Sequence, residues 1–367
     1  MAELRDESFM RLALAEARKG LGRTSPNPAV GAVIVRDGTV VARGYHKKAG
    51  DDHAEVAAIK KAGGAARGAT IYVTLEPCNH QGRTGPCTEA ILAAGIRRVV
   101  VGMADPNPNV AGAGAARLAG AGLAVTTGVL ADRCLAINRP FVKHVTTGRP
   151  WVTVKAALSL DGKMAAGNGH SNWITGEASR RHVHRMRDRA DAIMVGAGTA
   201  LGDDPSLTAR VHGGRDPLRV VLDSSLRLPA TARMLSQSSA AATLVFCAAP
   251  ADQGRKAALA GAGAEVVELA KPPDGGLPLP HILDHLGSRG ITSLLVEGGG
   301  RLHSSLIAGG LADEACFFYA PILIGNDGLA LLDPMGISAV DRAIRINNTR
   351  IRRFGDDILV QGFFHKS

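Results

Sequence analysis

The feature that most constrains this chain is an alternation that runs through it twice. Short apolar runs of strand length, built from Val, Ile, Leu and Ala, are interspersed with stretches of helical patterning. Such alternation predicts a sheet covered by helices, the α/β class. In the first part a helix is expected near Asp6–Lys19, with Phe9, Leu12, Ala13 and Ala17 on one face. Val30–Arg36 and Val40–Tyr45 read as a hairpin about Asp37-Gly38, a dipeptide suited to a two-residue turn. A helix from His53 to Gly63-Gly64, a strand at Ala69–Leu75, a helix from Cys87 to Ala94 and a strand at Arg97–Gly102 follow. Gly114–Ala121 and Leu130–His144 read as helices on either side of an extended Leu123–Thr126.

The pattern breaks at Thr146-Thr147-Gly148-Arg149-Pro150, where small residues followed by proline mark a boundary. It restarts with a strand at Trp151–Leu158. Apolar runs follow at Ala192–Gly196, Leu218–Leu222, Thr243–Cys247, Glu265–Leu269, Ser293–Glu297 and Ala315–Ile324, with helices expected at Gly176–Ala190, Pro280–Gly287 and Leu302–Ala308. Two domains, 1–146 and 150–367, suit 367 residues better than one. Aromatics make up only 4% of the chain, so both cores must be filled by aliphatic side chains.

The net charge of +10 draws anions without naming one. Single-strand nucleic-acid binders combine basic grooves with stacking aromatics, and three Tyr, two Trp and eight Phe give that reading little support. A phosphorylated small molecule is the expected partner, with no nucleic acid. No run approaches 18 apolar residues, so no transmembrane helix and no membrane partner are expected. The first twenty residues are too charged for a secretory signal. Five cysteines without an export signal argue against a disulfide framework and for metal or catalytic use, with the cytoplasm as the expected location.

Three pieces suit such a use together: His53-Ala54-Glu55, Pro77-Cys78 and Cys87. Zinc in a hydrolytic site takes about three protein ligands of N and S type and keeps a position open for water. His53, Cys78 and Cys87 meet that count. Bound zinc lowers the pKa of its water to ~7, giving a hydroxide able to attack an amidine-like ring carbon. Glu55, two residues past His53, is placed to move the proton from that water to the leaving amine. Taken singly, a buried cysteine is usually a small hydrophobe and a histidine at a helix start is often a cap or surface residue. The joint pattern follows the nucleobase-deaminase signature H-x-E…P-C-x-x-C, in which the glutamate is not a ligand. It departs in one respect, because eight residues separate the two cysteines and the loop between them must fold back. Cys134, Cys247 and Cys316 lack such company and read as core thiols.

Further segments extend the match along the chain. Pro26-Asn27-Pro28-Ala29-Val30-Gly31, Gly44-Tyr45-His46, Thr74-Leu75-Glu76-Pro77-Cys78, Gly82-Arg83-Thr84-Gly85-Pro86-Cys87 and Asp105-Pro106-Asn107-Pro108 resemble the bacterial riboflavin-pathway deaminase/reductase. The resemblance continues through Lys155, Ser159-Leu160-Asp161-Gly162-Lys163, Trp173-Ile174-Thr175, Asp203-Asp204-Pro205-Ser206-Leu207-Thr208 and Val296-Glu297-Gly298-Gly299. It implies a cytidine-deaminase-like three-layer domain followed by a dihydrofolate-reductase-like domain. It also implies two reactions: removal of the 2-amino group from 2,5-diamino-6-(5-phosphoribosylamino)pyrimidin-4-one, then NADPH-dependent reduction of the ribosyl group to ribityl. By the same resemblance Asn27, His46, His80 and Arg83 line the deaminase pocket. Gly85 stands where the family usually has a second proline, which should loosen the loop without removing a ligand.

In the second half the residues themselves offer two glycine turns. Gly196-Ala197-Gly198 follows a strand but lacks the third glycine of a dinucleotide fingerprint, and a plain strand-to-helix turn explains it. Gly298, Gly299 and Gly300 follow one strand and open a helix, where backbone N–H groups can approach a phosphate. The run Arg180, Arg181, Arg185, Arg187 and Arg189 reads mainly as a solvated helix face. The resemblance selects Arg187 and Arg210 to grip the substrate phosphate, with Lys155, Ser171, Leu207 and Glu297 completing substrate binding. It implies Ala157, Trp173, Thr199, Asp203 and Ser224 as cofactor contacts. A homo-oligomer is expected for such a fused enzyme. Two rival readings stand beside this one: a nucleic-acid base deaminase, and a single-activity enzyme whose second half only binds or assembles. Ammonia release from a free nucleotide, and NADPH binding by the second half, discriminate them.

Overall fold

The computed structural model describes residues 2–81, 85–107, 112–272 and 275–365. They fall into two compact units, Met1–Arg149 and Pro150–Ser367.

The first unit opens with α1 (Ala2–Ala17) and the hairpin of β1 (Gly31–Arg36) and β2 (Thr39–Tyr45). At its turn Asp37 and Gly38 have φ of 49° and 78°, the paired positive values of the turn that matches strand twist. Then come α2 (Ala54–Ala62), β3 (Thr70–Leu75), α3 (Cys87–Ala93), β4 (Arg98–Met103), α4 (Ala113–Gly120), β5 (Ala124–Thr126) and α5 (Ala131–Thr147). The sheet order is β2-β1-β3-β4-β5. β1 runs antiparallel to both neighbours, whereas β3, β4 and β5 are parallel. β1, β3 and β4 are buried on both faces, which is why they read as continuous apolar runs instead of alternating ones.

Two close approaches set where the helices lie. A Cβ on Gly31 would come within 2.1 Å of the Ala13 carbonyl, and one on Gly44 within 2.4 Å of the Ala54 carbonyl. Only glycine lets α1 and α2 rest on β1 and β2 at that distance. α1 is also pinned by a buried carboxylate: Asp6 accepts both Nη groups of Arg98, at 2.9 and 2.7 Å, and the Tyr72 hydroxyl at 2.8 Å.

The second unit begins with β6 (Trp151–Ser159) and β7 (Lys163–Ala165), then α6 (Glu177–Arg189), β8 (Ala192–Gly196), α7 (Ala197–Asp203) and β9 (Leu218–Leu222). Next are a single helical turn, α8 (Arg233–Ser236), then β10 (Thr243–Ala249), α9 (Gln253–Gly261), β11 (Ala264–Ala270), α10 (Leu279–Ser288), β12 (Ser293–Val296) and α11 (Gly300–Ala308). It closes with β13 (Glu314–Ala320), β14 (Leu329–Ala330), β15 (Asn347–Phe354) and β16 (Asp357–Phe363). Nine strands form one sheet in the order β11-β10-β9-β8-β12-β6-β13-β16-β15, and β14 pairs with β7. The row from β11 to β13 is parallel, and β16 and β15 add antiparallel. Alternate residues of β8 face opposite cores. Ala192 and Met194 pack with Leu286 of α10 and Leu306 of α11, whereas Ile193 and Val195 pack with Ala200 of α7 and Leu259 of α9. Helices therefore cover both faces, giving three layers.

Expectation and structure differ in one strand end and in several added elements. The run expected to 324 ends as a strand at Ala320. The helices α7, α8 and α9 are not among the expected elements, and neither are β7, β14, β15 and β16.

Candidate active sites

The first unit gathers its reactive groups at the start of α2 and the end of β3. His53 is the N-cap of α2 and Glu55 lies in its first turn; Cys87 begins α3. Cys78 follows β3 in the Pro77-Cys78 corner. The His53 Nδ1 lies 3.2 Å from the Cys87 Sγ and 3.6 Å from the Cys78 Sγ, and the Cys87 N–H points at the Cys78 Sγ at 3.4 Å. All three ligand atoms fall within 4.8 Å of one another. Tetrahedral zinc with bonds near 2.1 Å to N and 2.3 Å to S spaces its ligands by about 3.5–3.8 Å, so the donor set fits that ion in kind and size. Among the described residues no other group of three such side chains meets the same spacing.

The electrostatics suit the task. Cys78 is drawn well below the usual thiol range, first by its hydrogen bond with Cys87 and then by His53, against the pull of burial. Cys87 moves the opposite way, because its proton is shared toward Cys78 and its site is dry. Glu55 is 3% exposed. Burial pushes its carboxyl up to about 7, with only partial relief from its own backbone N–H and from His53. A carboxyl near neutrality is matched to taking a proton and giving it back.

Asn27 and His46 form a relay beside this cluster. The His46 Nδ1 lies 3.1 Å from the Asp52 carbonyl, so that nitrogen carries the proton and donates. The other nitrogen, Nε2, then accepts from the Asn27 Nδ2 at 3.1 Å. His46 is 3% exposed, and its ring lies edge-on to that of His53. His80 is exposed, and Arg83 lies outside the described residues. The ends of the long loop are tied together: the Thr88 N–H donates to the Cys78 carbonyl at 3.2 Å and the Thr88 hydroxyl to the Asn79 side chain at 2.9 Å.

One carboxylate had no assigned role in the sequence. Glu76 is 4% exposed. Its Oε2 accepts the N–H groups of Asp105 and Gly112, both at 3.1 Å, and its Oε1 that of Ala115 at 2.9 Å. It fastens Asp105 and the start of α4 against the corner that bears Cys78. An acid set between Leu75 and Pro77, at the end of a buried strand, was the available signal.

In the second unit β6 and β12 are adjacent and parallel, with Val154 paired to Val296, so Lys155 and Glu297 stand side by side. The Lys155 Nζ donates to Glu297 Oε2 at 3.3 Å. Arg187, from α6, donates to the same carboxylate through Nε at 2.7 Å and Nη2 at 3.0 Å, and through Nη1 to the Thr208 carbonyl at 3.1 Å. Burial pushes the Glu297 carboxyl up, but the two cations outweigh it and hold it well below the carboxylate range. Arg187 is thus committed to protein acceptors, whereas Arg210, two residues past Thr208, is exposed and makes one bond at 3.3 Å to the Thr208 hydroxyl. Leu207, just before Thr208, is buried, with φ of 54°.

Of the expected cofactor contacts, Ala157, Thr199 and Ser224 lie at or just past the carboxyl ends of β6, β8 and β9. Ala157 is on β6, two residues beyond Lys155 and on the same face. Trp173 is 69% exposed, with the Arg180 guanidinium 4.6 Å from its ring centre. Asp203 ends α7 and shares a hydrogen bond with Ser171. Ser224 follows β9, and its carbonyl accepts the Ala248 N–H at 3.1 Å. A Cβ on Gly299 would meet only the Thr199 Oγ1, at 3.8 Å, whereas one on Gly298 would reach Leu302 at 2.8 Å and one on Gly300 the Ala330 carbonyl at 3.1 Å. The glycine turn is therefore packed on two sides and open toward Thr199, at the N-terminus of α11. That is the form of a phosphate cradle, and it fits a dinucleotide.

Comparison with known proteins covers both units. The model of the cytidine and deoxycytidylate deaminase zinc-binding region matches residues 4–103, and that of the RibD C-terminal domain matches residues 150–360. The riboflavin biosynthesis protein RibD of Bacillus amyloliquefaciens is 43% identical over 96% of this chain and 95% of its own, and that of Aquifex aeolicus 41% identical over 97% of each. Among solved structures, RibD of Acinetobacter baumannii superposes with a TM-score of 0.88 at 37% identity, covering 98% of this chain and 99% of that one. The deaminase/reductase of Thermotoga maritima gives 0.86 at 37% identity with the same coverage. The expected fold class, a deaminase-like unit followed by a dihydrofolate-reductase-like one, is the one these structures share. With identity near 40% over almost the full length of these relatives, the chain belongs to the RibD family of riboflavin biosynthesis proteins.

Proposed function

We propose that this chain is a bifunctional enzyme of riboflavin biosynthesis, a zinc-dependent deaminase joined to an NADPH-dependent reductase. Its substrate is 2,5-diamino-6-(5-phosphoribosylamino)pyrimidin-4-one, its intermediate the deaminated nucleotide, and its product 5-amino-6-(5-phosphoribitylamino)uracil. The observation that carries the first half is the His53, Cys78 and Cys87 cluster with Glu55 buried beside it.

His53, Cys78 and Cys87 would hold a zinc ion, which would supply Lewis-acid activation of a water at neutral pH. Glu55 takes a proton as that water attacks the ring carbon bearing the 2-amino group, and returns it to the amine, which leaves as ammonia. Asn27 presents its carbonyl oxygen to the pyrimidine or ribose, and His46 holds that orientation. His80 and Arg83 contribute from the loop between the cysteines. In the second half NADPH supplies the hydride. The Gly298–Gly300 turn, Thr199, Asp203, Ser224, Ala157 and Trp173 hold the cofactor, while Lys155, Ser171, Leu207 and Glu297 hold the substrate. Because Arg187 is engaged by Glu297 and Thr208, Arg210 bears the larger share of the phosphate contact, and Arg187 fixes Glu297.

The 1–146 and 150–367 segments carry the two activities in this reading, in a homo-oligomer in the cytoplasm. No helix of the described residues is long and apolar enough to cross a membrane. β15 is the last strand in the order of its sheet, and Ile351 on it is 71% exposed.

The test is an assay that follows ammonia release and NADPH oxidation separately. Wild type is expected to do both when given the diamino nucleotide. Glu55→Ala is expected to lose ammonia release yet oxidise NADPH when given the deaminated nucleotide. A zinc-loaded wild type that releases no ammonia from this substrate defeats the assignment.

A further inference from the structure

The segment that carries Asn27 has few main-chain bonds to hold it. Pro26 and Pro28 flank Asn27 and have no backbone N–H, and β1 begins only at Gly31. The Asn27 N–H donates to the Thr24 carbonyl at 2.8 Å. The next N–H along the chain, that of Ala29, donates to the Asn138 Oδ1 at 2.9 Å, and the Ala29 carbonyl accepts the Asn138 Nδ2 at 3.1 Å. One side-chain amide thus takes both polar groups of one residue, as a neighbouring strand would. Ala29 and Asn138 are both buried, so these groups, left unpaired, would have no water to turn to. Beyond them the Val30 carbonyl accepts the His46 N–H at 3.0 Å, and the Gly31 N–H donates to the Thr74 hydroxyl at 3.1 Å.

We propose that Asn138 is a positioning residue for the deamination: through the Ala29 peptide it fixes where Asn27 stands, and so how the pyrimidine nucleotide is held. This rests on Asn27 being a substrate contact, as proposed above. The two residues that hold Asn27 then divide the task. His46 sets which end of its amide faces the site, and Asn138 sets the backbone from which that amide projects. A misplacement of about 1 Å in a substrate-holding group can cost about a hundredfold in rate.

The way α5 meets the sheet supports this role. Its two buried residues are Cys134 and Asn138, one turn apart. Cys134 packs where β4 has no side chain: a Cβ on Gly102 would come within 2.4 Å of its Sγ. That close approach seats α5 on β4 and brings Asn138, one turn further on, to Ala29. A helix that only covered the sheet would bury apolar side chains, because a buried amide is costly unless both its ends are bonded. Here α5 gives one of its two buried positions to an amide, and both ends of that amide go to the segment behind Asn27. The zinc-binding region model matches residues 4–103, so α5 lies outside it and adds to the site from a later part of the chain.

The test uses the full-length, zinc-loaded protein and follows ammonia release from the diamino nucleotide, with bound zinc measured on the same samples. Asn138→Ala is expected to keep the zinc content of wild type, to raise KM, and to lower kcat/KM by about 10–100-fold. Introduced into Asn27→Ala, the same change is expected to cost no more than about a further twofold, since the residue it positions is already gone. A wild-type kcat/KM in Asn138→Ala overturns the proposal. So does an equal loss in both backgrounds, or a fall in zinc content and kcat with KM unchanged, which is what a merely structural role would give. Should Asn138→Ala not fold, Asn138→Asp decides. It keeps the acceptor for the Ala29 N–H and loses the donor to the Ala29 carbonyl, and is expected to raise KM about threefold or more at full zinc content; a wild-type KM there overturns the proposal. Failure of the underlying reading looks different. Wild-type kinetics in Asn27→Ala remove Asn27 as a substrate contact, and a zinc-loaded wild type that releases no ammonia removes the deaminase assignment itself, and Asn138 falls with either.

Discussion

Asn27 carries an amide whose two ends are chemically opposite, and His46 decides which end faces the site. Because the Asp52 carbonyl claims the proton on His46 Nδ1, Nε2 is left as an acceptor and takes the NH2 end of Asn27. Burial lowers the pKa of His46 and keeps it neutral, as this arrangement requires. His46→Ala should free Asn27 to rotate and lower kcat/KM for ammonia release by about 10–100-fold. His46→Ala and Asn27→Ala together should cost little more than the worse of the two alone, because both remove one hydrogen-bonded unit. Additive losses would mean that His46 acts on its own. The second unit has its own test in Glu297. Glu297→Ala leaves Lys155 and Arg187 buried without a counter-charge and should cost about 3–5 kcal/mol, roughly 10 °C in Tm for a unit of this size. The pH dependence has a definite sign. The folded pKa of Glu297 is depressed, so its contribution is present above its ordinary value of 4.5 and is lost as pH falls from there through the folded value. Glu297→Gln should therefore flatten the acid limb of stability in that window, measured by thermal unfolding at stepped pH. The sequence supplied the identities of these residues, but not that Arg187 would make three hydrogen bonds to acceptors inside the protein. That depends on α6 and the Thr208 segment meeting over β12.

Elements with strong local signals were legible in the sequence. Asp37-Gly38 announces its turn, and the buried strands β1, β3, β8 and β9 announce themselves as largely apolar runs. β15 does not: Asn347–Phe354 holds Arg350, Arg352 and Arg353 and is exposed along most of its length, so its strand state comes from pairing with β16 and not from a pattern of its own. α9, with Gly254 and Gly261 inside it, is equally faint; the Asp252 side chain caps it by accepting the Arg255 N–H at 3.0 Å. The consequence for function is clearest at Glu76, whose three backbone contacts hold the start of α4 in place. Glu76→Ala would strip the acceptor from three amides at once, at roughly 1–3 kcal/mol for each N–H left unsatisfied. Ammonia release should fall with the loss of order beside Cys78, while NADPH oxidation with the deaminated nucleotide as substrate stays at the wild-type rate. A loss in both activities would show that Glu76 supports the whole chain and not this corner.

At the scale of the whole molecule, two chemistries that need different helpers share one chain with a net charge of +10. Both nucleotide substrates and NADPH are anions, so the positive field favours each of them and discriminates none. Order must come from chemistry instead. In the function proposed above, the deaminase half depends on a metal at the His53, Cys78 and Cys87 cluster, whereas the reductase half needs only its dinucleotide. Removing the metal with a chelator should thus have an effect that depends on which substrate is offered. With the diamino nucleotide, the stripped enzyme should release no ammonia and, if reduction acts only on the deaminated product, should oxidise almost no NADPH. With the deaminated nucleotide, NADPH oxidation should continue at the rate of the untreated protein. Adding zinc back should restore both signals with the first substrate, ammonia leading and NADPH oxidation following after a lag while the intermediate accumulates. NADPH oxidation with the diamino nucleotide in the stripped enzyme would reverse the order of the two steps. Loss of NADPH oxidation with the deaminated nucleotide would show that the metal serves the second unit as well.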